Sequence, residues 1–185
     1  MDLGFRMHAE RTPNPNSLKW VMGRRIVEGT ASANFETPPE SDVSPLAHAL
    51  FSVDGVVGVF LAANFATVSK RDDADWVDIA QPVVDALKKH LGSGEPALGP
   101  GYRAVAVEAS GALVQRICRV LDDEIRPAVA RDGGDIQFVG FREGVVELQM
   151  RGACSGCPSA TATLKMAVES RLREEVPEIR EVVAV

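Results

Sequence analysis

Ten residues in mid-chain, Gly92-Ser93-Gly94-Glu95-Pro96-Ala97-Leu98-Gly99-Pro100-Gly101, limit what this sequence can fold into more than any other stretch. Four glycines and two prolines in ten positions hold neither a helix nor a central strand, since glycine adds backbone freedom and proline lacks an N–H. The chain of 185 residues is therefore divided before any core is assembled. We expect a first domain over residues 1–92, a linker over 93–111 and a second domain over 112–185. Both domains are small but within the range of independent folding units.

Each part mixes helix and strand signals, so the expected class is α+β. In the first, extended segments near Arg6–Glu10 and Ser17–Met22 flank the turn-rich Thr12-Pro13-Asn14-Pro15-Asn16. Ser44-Pro45 supplies a helix cap and a first-turn proline ahead of Leu46–Phe51. Strands follow over Val56–Leu61 and Ala66–Lys70, then a helix over about Trp76–Leu91 capped by Asp75 and stopped by Gly92; Pro82 inside it predicts that the helix starts late or kinks there. The second part reads α-β-β-α-β. Leu113, Ile117, Val120, Leu121 and Ile125 recur at helical spacing, predicting a helix over 112–130. Strands over Ile136–Phe141 and Val146–Met150 are joined at Arg142-Glu143-Gly144. A helix then runs from Pro158 to about Glu175, and Ile179–Val185 supplies a last strand.

Charge excludes one large class of partner. There are 20 Lys and Arg against 26 Asp and Glu, a net charge of −6, and neither half is basic, which argues against a nucleic-acid binder. No apolar run approaches the roughly 20 residues of a membrane helix, so no membrane partner is expected. The opening Met1-Asp2-Leu3-Gly4-Phe5-Arg6-Met7-His8 has neither an apolar segment nor a small-residue cleavage site. Three cysteines, Cys118, Cys154 and Cys157, are too few for a disulfide scaffold. The reading that follows is a reducing, cytoplasmic setting, where paired cysteines serve metals or redox chemistry.

The chemistry is concentrated in Gly152-Ala153-Cys154-Ser155-Gly156-Cys157-Pro158, between a strand and a helix. Two sulfurs separated by two residues can reach one metal, and the glycines allow the tight turn this needs. The following helix start directs N–H groups and its positive dipole end at the loop, which favours thiolate. A closed zinc site or an iron–sulfur cluster takes four protein ligands, whereas this domain offers two. Cys118, between Ile117 and Arg119 on a helix, reads as a small buried residue, and His8, His48 and His90 all precede the linker. An identical chain across a two-fold axis can supply the missing half. On residues alone, a dithiol oxidoreductase using Cys154 and Cys157 and a bridging zinc site both stay open.

Residues 112–185 resemble the C-terminal domain of the NifU family. The resemblance is carried by Leu121-Asp122-Asp123-Glu124-Ile125-Arg126-Pro127, Asp132-Gly133-Gly134-Asp135-Ile136 and Gly152-Ala153-Cys154-Ser155-Gly156-Cys157-Pro158-Ser159. Residues 5–91 resemble the N-terminal domain of Nfu-type members through Thr12-Pro13-Asn14-Pro15-Asn16, Ser44-Pro45-Leu46-Ala47, Leu50-Phe51 and Gly55-Val56 to Phe60. The resemblance implies a scaffold and carrier, not an enzyme. It implies a [4Fe–4S] cluster held by Cys154 and Cys157 from each of two chains. It also implies a homodimer when loaded, apo iron–sulfur client proteins as recipients, and the cluster assembly machinery as donor.

Overall fold

The computed structural model describes residues 6–29, 32–103, 111–155 and 158–185. The chain forms two compact units, Met1–Ala104 and Val105–Val185. Each is a sheet with helices on it, so the α+β class expected from sequence is the architecture observed.

The first unit is an antiparallel five-stranded sheet of β1 (Met7–Arg11), β2 (Ser17–Met22), β3 (Ala33–Phe35), β4 (Val56–Ala62) and β5 (Phe65–Lys70), in the order β1-β2-β5-β4-β3. Alternation sets the buried face. Trp20 lies opposite Ala66 and Leu18 opposite Val68, and these in turn lie opposite Leu61 and Val59. Helices α1 (Pro45–Phe51) and α2 (Trp76–Ser93) complete this core with Leu46, Leu50, Ile79, Val83, Leu87 and Leu91. Ser44 Oγ caps α1 by accepting from the Ala47 N–H at 3.1 Å. Asp75 caps α2 through the Val77 N–H at 3.0 Å. Trp20 and Trp76 meet edge to face with centroids 5.7 Å apart, fixing the first turn of α2 over the sheet.

Three features differ from expectation. α2 runs past Gly92 and stops at Gly94, which takes the left-handed conformation with φ 76°. Gly92 has no such demand, and two more residues continue the helix. Pro82 does not break α2, because it lies on the exposed side where water can satisfy the carbonyl it leaves unpaired. Ala97–Tyr102 are not a free connector. Ala97 is buried in the first core, its carbonyl accepts from Ser44 Oγ at 2.7 Å, and the Gly99 and Gly101 N–H groups donate to Val43 and Asp42. Tyr102 Oη donates to the Ser32 carbonyl at 3.0 Å.

The second unit begins with one long helical stretch: α3 (Ala112–Val120), a π turn over Leu121–Ile125, and α4 (Arg126–Arg131). Pro127 accounts for the π turn. Its ring would crowd the preceding turn of a regular α-helix, and widening that turn lets the Arg126 N–H bond the Leu121 carbonyl. A three-stranded sheet follows, in the order β6-β7-β8. β6 (Gly134–Arg142) and β7 (Val145–Gly152) are antiparallel, and β8 (Glu181–Ala184) joins β7 in parallel. The β6–β7 turn places Glu143 at φ 51° and Gly144 at φ 85°, the paired positive φ of a tight hairpin. Helix α5 (Pro158–Glu175) is the crossover between β7 and β8. Ile136, Phe138, Val146, Leu148, Met150 and Val182 form the sheet's inner face, covered by Ile117, Leu121, Ile125, Val168 and Leu172 from the helices.

Candidate metal centre

The centre lies where β7 runs out toward α5. Gly152 ends the strand at φ 63°, a left-handed turn that any side chain would strain. The chain then folds back on itself. The Cys154 N–H approaches the Arg151 carbonyl at 3.4 Å, and the Ser155 N–H and Oγ donate to the Gly152 carbonyl at 3.1 and 2.8 Å. The Ala153 N–H reaches across to the Gly133 carbonyl at 3.2 Å, tying the loop to the β6 entry. From the other side, Thr161 Oγ1 in the first turns of α5 donates to the Cys154 carbonyl at 3.0 Å.

Register decides where the Cys154 sulfur sits. Gly134 pairs with Gly152 across the β6–β7 ladder, directly beneath the loop. A Cβ on Gly134 would overlap Cys154 Sγ and stand 2.8 Å from the Arg151 carbonyl oxygen. The missing side chain is thus the seat of the sulfur. Next to it, Asp135 is buried and receives the Arg126 guanidinium in a two-pronged ion pair at 2.8 and 2.9 Å. Arg126 also bonds Asp122, and the Ile136 N–H donates to Asp135 Oδ1 at 2.8 Å. This lattice fastens the helical stretch to the start of β6.

Cys154 is only 6% exposed. Burial, reinforced by the negative charges of Asp132 and Asp135, pushes its thiol up to about 12. The thiolate preference expected from the α5 dipole is outweighed here, and in this state Cys154 holds its proton. Such a thiol is the opposite of the low-pKa nucleophile of a dithiol oxidoreductase. Cys157, the second expected ligand, lies outside the described residues. Cys118 packs half-buried against the second core, as read from sequence, and burial and Asp122 raise its thiol. His8, His48 and His90 all belong to the first unit. Among the described residues no three His, Cys, Asp or Glu side chains converge on one metal position.

Sequence reasoning singled out Cys154 but not its seat. Gly134, Arg126 and Thr161 matter through contacts across the fold; Arg126 and Gly134 stand in stretches that carry the family resemblance, but nothing local to them shows what they touch.

Two family models match the chain: "Scaffold protein Nfu/NifU N terminal" over residues 7–94 and "NifU-like domain" over residues 117–183. The "NFU1 iron-sulfur cluster scaffold homolog, mitochondrial" of Drosophila erecta is 39% identical, with 95% of this chain and 63% of that protein covered. The "NifU-like protein 4, mitochondrial" of Arabidopsis thaliana is 40% identical, with 94% of this chain and 64% of that protein covered. The chain thus spans a little under two thirds of the length of these relatives. A solution structure of a NifU-like protein from Saccharomyces cerevisiae aligns at 26% identity and a TM-score of 0.47, covering 52% of this chain and 86% of that one. The relatives' names overturn the cytoplasmic placement, since both are called mitochondrial. A low cysteine count fits more than one compartment and does not single out the cytoplasm.

Proposed function

The chain belongs to the family of NifU-like proteins with an Nfu-type N-terminal domain, and from that premise we propose that it is an iron–sulfur cluster scaffold and carrier. Cys154 and Cys157 are the ligands, and two chains hold one [4Fe–4S] cluster between them as cargo for apo-proteins. The working modules are the two units, the first, which takes in Ala97–Tyr102, for docking or regulation and the second for holding the cluster. The protein binds and hands on; it turns over no substrate.

The observation that carries this reading is the seating of Cys154. A thiol sits over a glycine-made gap, in a loop turned by a left-handed glycine, at the threshold of a helix. Soft sulfur donors on a loop of this kind suit iron–sulfur chemistry. Each cysteine gives up its S–H proton as an S–Fe bond forms, so loading releases protons. Because Cys154 prefers its proton when unligated, departure of cargo to client thiolates is met by reprotonation.

Anaerobic reconstitution with ferrous iron and sulfide is expected to give a brown dimer with about four irons per pair. Cys154→Ser and Cys157→Ser should each lose it. A colourless product, or serine variants that keep their iron, overturns the proposal. Metal analysis of anaerobically purified protein separates iron from a bridging zinc.

A further inference from the structure

Resting on the reading of Cys154 as a ligand, we infer that Thr161 is a positioning residue for loading: its hydroxyl latches the Gly152–Ser155 turn shut over Gly134, and the latch opens before the Cys154 sulfur takes iron. In this structure the sulfur faces away from its task. It lies over the gap left by Gly134 and belongs to the same buried cluster as Ile136 and Met150. Only 6% of the residue is exposed. Iron brought or shared by another molecule arrives from outside the unit, and a sulfur packed inward cannot bond it. The turn therefore has a second setting, lifted from Gly134, and the one seen is the closed setting.

Hydrogen bonds show what keeps the turn closed. Those from the Ser155 N–H and Oγ to the Gly152 carbonyl lie inside the turn and travel with it. The Ala153 N–H bond to the Gly133 carbonyl extends the β6–β7 ladder by one step, ahead of Cys154, and forms the fixed side of a hinge. The Thr161 bond differs from both. It starts on another element, α5, and ends on the carbonyl of the ligand residue itself, at 3.0 Å. A helical threonine ordinarily turns its hydroxyl to a carbonyl three or four residues back in its own helix. Thr161 reaches seven residues back, out of the helix. Its sequence neighbours Ala160 and Ala162 are better helix formers, so helix propensity does not ask for threonine here. With the hydroxyl gone, the Cys154 carbonyl turns to water and the turn lifts from the Ala153 side. Between loads the latch keeps this thiol from oxidants and stray metal ions.

The test labels the empty full chain with N-ethylmaleimide at one fixed pH and reads Cys118 and Cys154 separately by tandem mass spectrometry. Wild-type Cys154 should be labelled far more slowly than in the urea-unfolded chain. Thr161→Val, equal in shape but without the hydroxyl, should speed Cys154 labelling roughly fivefold, the worth of one hydrogen bond. Thr161→Ala, a better helix former, should do the same, and Thr161→Ser should restore the wild-type rate. Cys118 should be labelled at one rate throughout. With excess ferrous iron and sulfide under anaerobic conditions, Thr161→Val should load faster by a similar factor and to the same iron count. Unchanged Cys154 labelling in the valine and alanine variants, or an equal gain at Cys118, overturns the latch and leaves the ligand reading standing. Faster labelling with unchanged loading overturns its place ahead of iron. Wild-type Cys154 labelled as fast folded as unfolded overturns the closed setting. Wild-type protein that takes up no iron overturns the ligand reading, whatever the labelling gives.

Discussion

Glycine is needed at position 134 for space and not for backbone freedom. Its φ is unexceptional, but any Cβ would collide with Cys154 Sγ and crowd the Arg151 carbonyl. Gly134→Ala must displace the ligand loop. A cost of about 1–3 kcal/mol in urea unfolding, the range for overpacking a fitted interior, is expected together with fewer irons per dimer after reconstitution. Cys154 gives a second outcome, visible without metal. Its thiol ordinarily titrates at 9.0 but holds its proton to about 12 when folded. Between these values the unfolded chain binds fewer protons than the folded one, so stability falls as pH rises. Urea midpoints of the empty protein should decline across that window, and Cys154→Ser should flatten the decline; an equal slope in both proteins removes burial of this thiol as its cause. The cysteine pair was legible because its spacing is local chemistry. The seat was not, because residue 134 meets residue 154 only through the β6–β7 register.

At the scale of elements, the Arg126–Asp135 pair joins the helical stretch to β6, with Asp135 buried and Arg126 about one third exposed. Arg126→Met keeps the aliphatic stem but takes the two-pronged partner from a buried carboxylate. The loss should be about 2–4 kcal/mol, and Asp135→Asn in the same background should recover part of it. Thermal unfolding of the four members of this double-mutant cycle measures the coupling; an additive cycle denies it. Helices and hairpins of the second unit were readable because periods near 3.6 and 2 recur over many residues. β3 was not, since three residues, Ala33–Phe35, carry no period and form a strand only because β4 offers them an edge. The π turn was hidden for a similar reason: Pro127 announces an irregularity but not how the turn before it widens.

For the whole molecule, the division between units was visible in composition and falls between Ala104 and Val105, within 93–111, but the reach of the first unit into that stretch was not visible. Ala97, Gly99 and Tyr102 are bound to the first unit through Ser44, Val43 and Ser32, contacts that a count of glycines and prolines does not reveal. Each unit has its own core, with the buried residues of one drawn from 20–97 and of the other from 117–182. Produced separately, Met1–Ala104 and Val105–Val185 should each unfold cooperatively in calorimetry, with iron uptake confined to the second. A fragment that is unfolded alone contradicts this independence.

The strand leading into Cys154 is the central one of its sheet: β6 runs beside it as far as Gly152, and β8 flanks its opposite end, Val145–Leu148. A tug on the sulfur therefore passes first into the β6–β7 ladder and only then reaches the stretch held on both edges.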